Sequence, residues 1–227
     1  AQTRAVAARF LGCEPEEISL LGPTALGLGL VALGLEWRSG DEIVFDPLDY
    51  PANVYPWKEL ERKGVRAIPL QRKPGDPIRW ETIHPRVGAK TKLVSLATAH
   101  YLSGHQPELS VIGPEASDVY KRQVRKRVWD RCRPPLLGSW NVVSPEFLAQ
   151  AEIQFEAGGR RYEPGSLNLP GIEGMRASLE LLDSFGVPEI SAHVLALSRQ
   201  IREEARRVGL SVYGGEGEDR VITSLEE

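Results

Sequence analysis

The sequence predicts an α/β fold: a mostly parallel sheet flanked by helices, followed by the start of a C-terminal α+β domain. Three observations carry this expectation. Short apolar runs at 42–45, 65–70 and 92–98 alternate with helical segments, the pattern of crossover units. The run Lys92–Thr98 (KLVSLAT) is apolar enough for a strand buried on both faces. The second half changes to two long helical stretches and two short terminal strands.

Taken in order, residues 3–11 form a helix that places Val6 and Phe10 on one face. The apolar stretch Ile18–Leu21 runs into a Gly22-Pro23-Thr24 turn, and Ala25–Leu35 is small, apolar and too long for a strand. It reads as a buried helix with Thr24 as its N-cap. Gly40-Asp41 makes a turn into the strand Glu42–Phe45. A Pro-containing loop, Asp46–Asn53, then leads to a helix from Val54 to Lys63, which Gly64 ends. Val65–Leu70 is the next strand and 71–77 a polar turn. A loop over 156–170 precedes helices near 171–185 and 188–208. The second of these sets Ile190, Val194, Leu197, Ile201, Ala205 and Val208 on one stripe, with Arg202, Glu203, Arg206 and Arg207 outside it. Gly209 ends that helix, and Leu210–Tyr213 and Val221–Leu225 read as strands.

Composition narrows the functional classes. With 227 residues, 41% hydrophobic and 26% charged, the chain holds one large domain or two small ones around an ordinary core. A net charge of -3 argues against a nucleic-acid partner bound by bulk electrostatics. The basic run 121–133 carries seven cations and one acid, with Trp129 its one aromatic, and reads as a solvated helix face. No apolar run reaches a membrane span and no leader pattern opens the chain, so no membrane partner and a cytoplasmic address are expected. Cys13 and Cys132 are the only cysteines, too few for a disulfide framework or a cysteine-rich metal site.

Three motifs bear on chemistry. The turn at 22–24 feeds a helix N-terminus, where free N–H groups and the helix dipole suit a phosphate, although neither common nucleotide fingerprint is present. The loop 46–53 leaves the carboxyl end of a strand, where open α/β sheets place ligands, and its Tyr50 offers a ring for stacking. His100 and His105 follow the strand 92–98. Their spacing resembles a two-His metal clip, but no carboxylate or thiol is arranged with them, so no metal is expected. His84 and His193 have no functional context. No nucleophile elbow or zinc-binding His-Glu-x-x-His is present.

In order, Gly40-Asp41-Glu42-Ile43-Val44, DYPANVYPW (49–57), KLVSLATAHYLSGHQPELSVI (92–112) and RYEPGSLNLPGIEG (161–174) resemble segments of the class V aminotransferase and cysteine-desulfurase family of pyridoxal-phosphate (PLP) enzymes. The resemblance covers most of the chain. It implies a fold-type-I enzyme that acts on an amino acid by transamination or by cysteine desulfuration or lyase chemistry. It also implies a homodimer with shared sites and PLP as cofactor. Thr24 and Ala25 would hold the phosphate, Tyr50 would stack on the pyridine ring, and His100, with Tyr101, would face cofactor and substrate. Ser166, in place of the usual Thr, would reach the phosphate of the partner subunit's site. Leu26 departs from the frequent Glu at its position.

The largest departure is an interval. The family's Schiff-base Lys and the Asp that protonates the pyridine nitrogen lie on strands for which this chain has almost no room between His100 and Val124. Lys121 and Lys126 lack the expected context, so no catalytic residue is assigned and the chain as it stands is expected to be inactive. Asp118-Val119-Tyr120-Lys121-Arg122-Gln123 is also the translation of a transposon-end sequence widely used in preparing DNA libraries. The expected organisation is therefore the N-terminal part of the PLP-binding domain at 1–117 and an adapter-derived junction at 118–123. The remainder of that domain would span 124–186, and a small C-terminal domain would begin at 187–227, ending before the Arg that binds the substrate carboxylate. The alternative is a natural deletion that left a non-catalytic binding or interaction paralogue with the dimer surface intact. A nucleotide-binding Rossmann-type domain is a third reading, weakened by the missing glycine fingerprint.

Overall fold

Apolar alternation bounded by turn residues produces the regular elements, which in chain order are α1 (Gln2–Leu11), α2 (Thr24–Gly34), β1 (Glu42–Phe45), α3 (Tyr55–Glu59), β2 (Arg66–Pro69), α4 (Trp80–Ile83) and β3 (Thr91–Ser95). They continue with β4 (Val119–Tyr120), β5 (Gln123–Val124), α5 (Leu169–Phe185), α6 (Val187–Arg207), β6 (Ser211–Val212) and β7 (Leu225–Glu226). This computed structural model describes residues 2–109, 112, 119–120, 123–124, 131–143, 152–213 and 221–226. The chain divides into two compact units, Ala1–Glu36 with Arg122–Gly186, and Trp37–Lys121 with Val187–Glu227. No helix among the described residues is long and apolar enough to cross a membrane.

In the first unit α1 buries Val6 and Ala8 and lies along α5, where Arg9 meets Asp183 at 2.8 Å. α2 is apolar on every side but buries only Leu30, Ala32 and Gly34. Gly34 is required there, because a Cβ would meet the Arg133 carbonyl at 2.6 Å. Thr24 is the first helical residue and not the N-cap. Pro23 holds the cap position and no side chain caps the helix. Arg4 grips the buried Glu163 carboxylate at 2.7 and 2.5 Å, and that carboxylate also accepts the Leu20 N–H at 2.6 Å. One ion pair thus ties three distant stretches of sequence together.

The second unit contains a parallel sheet in the order β2-β1-β3. β1 is central, with Ile43, Val44 and Phe45 all buried. Val44 packs with Leu70, Ile78, Ile83 and Ile112, while Trp57 of α3 is likewise buried. The expected helix 54–63 is a short α3 that tightens into a 3-10 turn over Leu60–Lys63 and stops at Gly64, whose φ of 78° is left-handed. Pro56 near its start and the glycine at its end leave little room for regular turns.

Other expectations also change. β3 is shorter than 92–98, and only Leu93 of its five residues is buried, because it lies at an edge of the described sheet. α6 keeps part of the stripe read from periodicity, with Ala205 buried and Ile190 and Val194 half-buried, but it leaves Leu197, Ile201 and Val208 exposed and turns Ser198 and Arg202 inward. The reason is local: Ser198 Oγ hydrogen-bonds Thr223 Oγ1 at 2.8 Å, so the chain that returns at 222–224 covers that face. β6 and β7 pair antiparallel through two residues each, shorter than expected. Within the basic run, Gln123–Val124 is extended and 131–133 is not α-helical, while residues 121, 122 and 125–130 lie outside the described residues.

Candidate functional site

β1 delivers the chain into the loop 46–53 at its carboxyl end, and the loop is tied down by its own polar side chains. Asp46 is fully buried, and Arg72, nearly as buried, meets it with two N–H groups at 3.0 and 2.5 Å. The same carboxylate accepts the Leu48 N–H at 3.0 Å. A buried charge is tolerated only when it is paired and hydrogen-bonded in this way. Asp49 accepts the Tyr50 N–H at 2.6 Å and the Asn53 amide at 2.7 Å. Asn53 Oδ1 in turn accepts from Trp57 Nε1 at 3.1 Å and from Ser95 Oγ, at the end of β3, at 2.6 Å. Helix, loop and strand end are thereby locked in one arrangement.

Tyr50 is the aromatic side chain this loop leaves outside, 58% exposed. Its ring stands edge-on to Tyr101, with centroids 5.5 Å apart, and Tyr101 contacts the ring of His100 at 5.2 Å. An aromatic face is therefore offered on a fixed support above the carboxyl ends of β1 and β3.

His100 is buried and both its ring nitrogens are engaged. Nδ1 accepts the Ser103 N–H at 3.2 Å, so the ring proton sits on Nε2, which donates to the Leu48 carbonyl at 2.9 Å. His100 thus holds the loop that carries Tyr50. His105 Nε2 lies 3.1 Å from the Ile78 carbonyl. Among the described residues no group of three or more His, Cys, Asp or Glu side chains is placed to hold a metal ion.

The remaining residues named from sequence belong to the first unit. Thr24 and Ala25 are exposed at the first turn of α2, where helix geometry leaves N–H groups without intrahelical partners. Ser166 is exposed two residues before Asn168, whose side chain caps α5 by accepting the Gly171 N–H at 3.1 Å. The structure brings Tyr50 and His100 together, through Leu48 and Tyr101. Sequence reasoning missed Asp46, Arg72, Asp49, Asn53 and Ser95. Asp46 and Asp49 at the end of a buried strand were a visible signal, but nothing local marks Arg72 as the partner of a residue 26 positions away.

Burial and contact shape the other titratable groups. Burial raises the thiol pKa of Cys132 and, most strongly, the phenol pKa of Tyr162, whose hydroxyl donates to the Cys132 carbonyl at 2.7 Å. Cys13 is also raised, by burial and then by Glu17 and Glu14, so neither thiol is primed as a nucleophile.

A parallel sheet flanked by helices, with the loop 46–53 at the carboxyl end of its central strand, defines an α/β fold. Residues 1–121, more than half of the chain, match the aminotransferase class-V family, and the chain belongs to it. It is 23% identical over 252 residues to a probable cysteine desulfurase of Methanothermobacter thermautotrophicus, a span that covers 94% of this chain and 63% of that protein. The chain thus falls short of two thirds of that relative's length. The apo structure of cysteine desulfurase from Thermococcus onnurineus NA1 matches 100% of this chain and 67% of its own, with a TM-score of 0.84 at 19% identity. A C-DES mutant with glycine covalently linked to the PLP cofactor matches 97% of this chain and 70% of its own, with a TM-score of 0.79 at 16% identity. Both share the fold, and the expected fold type I holds.

Proposed function

We propose that this chain represents a PLP-dependent enzyme acting on an amino acid, with transamination and cysteine C–S bond chemistry as its two reaction classes. The observation that carries the reading is the exposed Tyr50 ring on its locked loop, in a chain of the class V family. The residues present fit the cofactor. The N–H groups of Thr24 and Ala25 and the Thr24 hydroxyl, at the exposed start of α2, are donors suited to a phosphate, as is the exposed Ser166 hydroxyl, and the Tyr50 face suits a flat ring. His100 fits as a positioning residue, since its nitrogens already hold Leu48 and Ser103. When bound, PLP supplies an electron sink for a carbanion at the substrate's Cα. Each unit contributes on its own terms: in the first, Thr24 and Ala25 offer donors suited to a phosphate, and in the second the Asp46–Arg72 pair holds the loop that carries Tyr50.

Cysteine as the substrate is favoured by the relatives, which are named as cysteine desulfurases. The same proposal includes a homodimer, supported by α5, a helix of 17 residues that buries none of them, and a cytoplasmic address. It also holds that the chain as it stands does not turn over, because the interval in which the resemblance places the lysine is missing.

The test is a titration of the purified chain with PLP, followed by cofactor absorbance and tryptophan fluorescence, with sulfide and alanine release from cysteine assayed in parallel. The expected result is saturable binding, weakened about tenfold by Tyr50→Ala (~1.4 kcal/mol), and no product. A folded chain that shows no saturable binding would overturn the cofactor reading, and sulfide release would overturn the inactivity.

A further inference from the structure

The turn that carries His100 and Tyr101 is closed on itself. The His100 N–H donates to the His105 carbonyl at 2.9 Å, the Gly104 N–H returns to the His100 carbonyl at 2.8 Å, and the Ser103 N–H reaches His100 Nδ1 at 3.2 Å. One side of the turn is held by the Leu48 carbonyl through Nε2. Another side meets a stretch far along the chain: Ser224 Oγ donates to the Leu102 carbonyl, 122 positions away, at 2.7 Å. Two residues before Ser224, the Ile222 backbone lies so close to Gly104 that a Cβ there would collide with it. The φ of 66° at Gly104 is left-handed as well, so only glycine suits the position. All these residues belong to the second compact unit.

The stretch 222–224 is itself anchored. The Tyr213 N–H donates to the Ser224 carbonyl at 2.9 Å beside the β6–β7 pair, and Thr223 Oγ1 meets Ser198 Oγ of α6 at 2.8 Å. Ser224 therefore presents its hydroxyl to Leu102 from a fixed support. Leu102 is flanked by the two residues whose places matter. Tyr101 sets its ring against Tyr50, and the Ser103 N–H decides which nitrogen of His100 carries the proton.

We infer that Ser224 is a positioning residue for the His100 turn: by fixing Leu102 it keeps His100 protonated on Nε2 against Leu48 and keeps Tyr101 against Tyr50. Only the consequence for a bound ring rests on the proposed function, and the experiment reads the two separately.

The test compares the full chain with Ser224→Ala, Ser224→Thr and Gly104→Ala, each first checked for folding by circular dichroism. The ring nitrogens of His100 are followed by 15N NMR, the amides of His100, Ser103 and Gly104 by hydrogen exchange, and PLP affinity by titration. In Ser224→Ala the two ring-nitrogen signals should move toward each other as the second tautomer gains population. The three amides should exchange about tenfold faster. Ser224→Thr keeps the hydroxyl and should restore both, whereas Gly104→Ala, which pushes Ile222 away, should reproduce the Ser224→Ala signature. A merely structural hydroxyl would lower the melting temperature and leave the His100 ring unmoved. Unchanged His100 signals in folded Ser224→Ala would overturn the inference, as would signals equally disturbed in Ser224→Thr. Weaker PLP binding in Ser224→Ala, regained in Ser224→Thr, carries the positioning through to the ring. A chain whose His100 signals respond as expected but which binds no PLP upholds the positioning and overturns the cofactor reading instead.

Discussion

Asp46 and Arg72 carry opposite charges where water hardly reaches, with side chains 0% and 2% exposed. Their value lies less in net stability than in the penalty for separating them. Arg72→Met leaves Asp46 buried with only the Leu48 N–H and a distant His100 Nε2, 3.9 Å away. The expected loss is about 3–5 kcal/mol in urea unfolding. Adding Asp46→Asn to that variant should recover much of the loss, and a double variant as unstable as the single one would remove the ion pair from the account. At this scale the sequence disclosed residue types and not partners. His100 is legible as a residue at a strand's carboxyl end, but its ring is held by Leu48, 52 positions away, and that bond makes it a support for Tyr50. Tyr50 was more legible, because a ring in a Pro-bounded loop after a buried strand has few places to go except outward.

Elements follow sequence where local chemistry and packing agree. β1 is found at the predicted residues because a turn and a carboxylate bracket four residues of strong strand preference. α6 departs in part because its stripe shows which residues favour cover and leaves open which chain segment supplies it; here Thr223 meets Ser198, which in turn accepts from Arg202. Gly34 makes a similar point at the end of α2. Glycine to alanine within an exposed helix ordinarily stabilises by about 1 kcal/mol. Here the added carbon meets Arg133 O at 2.6 Å and Cys132 Sγ at 3.0 Å, so Gly34→Ala should lower the melting temperature. An unchanged or raised value would mean that the 132–133 segment moves aside. The turn before β1 predicts a pH effect. Burial pushes Asp41 up, but the Arg38 N–H at 2.8 Å and Lys92 more than offset it and hold the carboxyl below its ordinary 3.8. A lowered folded value means stability present above about pH 4 and lost as pH falls through the folded value. With both groups partly exposed the effect is about 0.5 kcal/mol. Melting of the parent and of Asp41→Asn should therefore differ at pH 6, and the difference should shrink as the pH is taken down through the folded carboxyl's lowered range.

For the whole molecule, apolar surface without cover decides behaviour in solution. α5 leaves Leu181 61% and Phe185 58% exposed, together with Leu169 and Met175. Covering one such side chain is worth about 1.5–3 kcal/mol, enough for a few of them to drive association. Helical spacing puts Leu181 and Phe185, four apart, on one face, so a partner that covers one covers the other. The chain should accordingly sediment as a concentration-dependent dimer or larger species. Leu181→Glu with Phe185→Glu should return it to a monomer, with unfolding changed by no more than about 0.5 kcal/mol, because neither side chain is buried within the chain. The pair Leu197→Glu with Ile201→Glu on α6 provides the control, since it removes exposed apolar surface from the other unit. If the α6 pair abolishes association and the α5 pair does not, α5 is not the interface and the homodimer proposal loses its structural support.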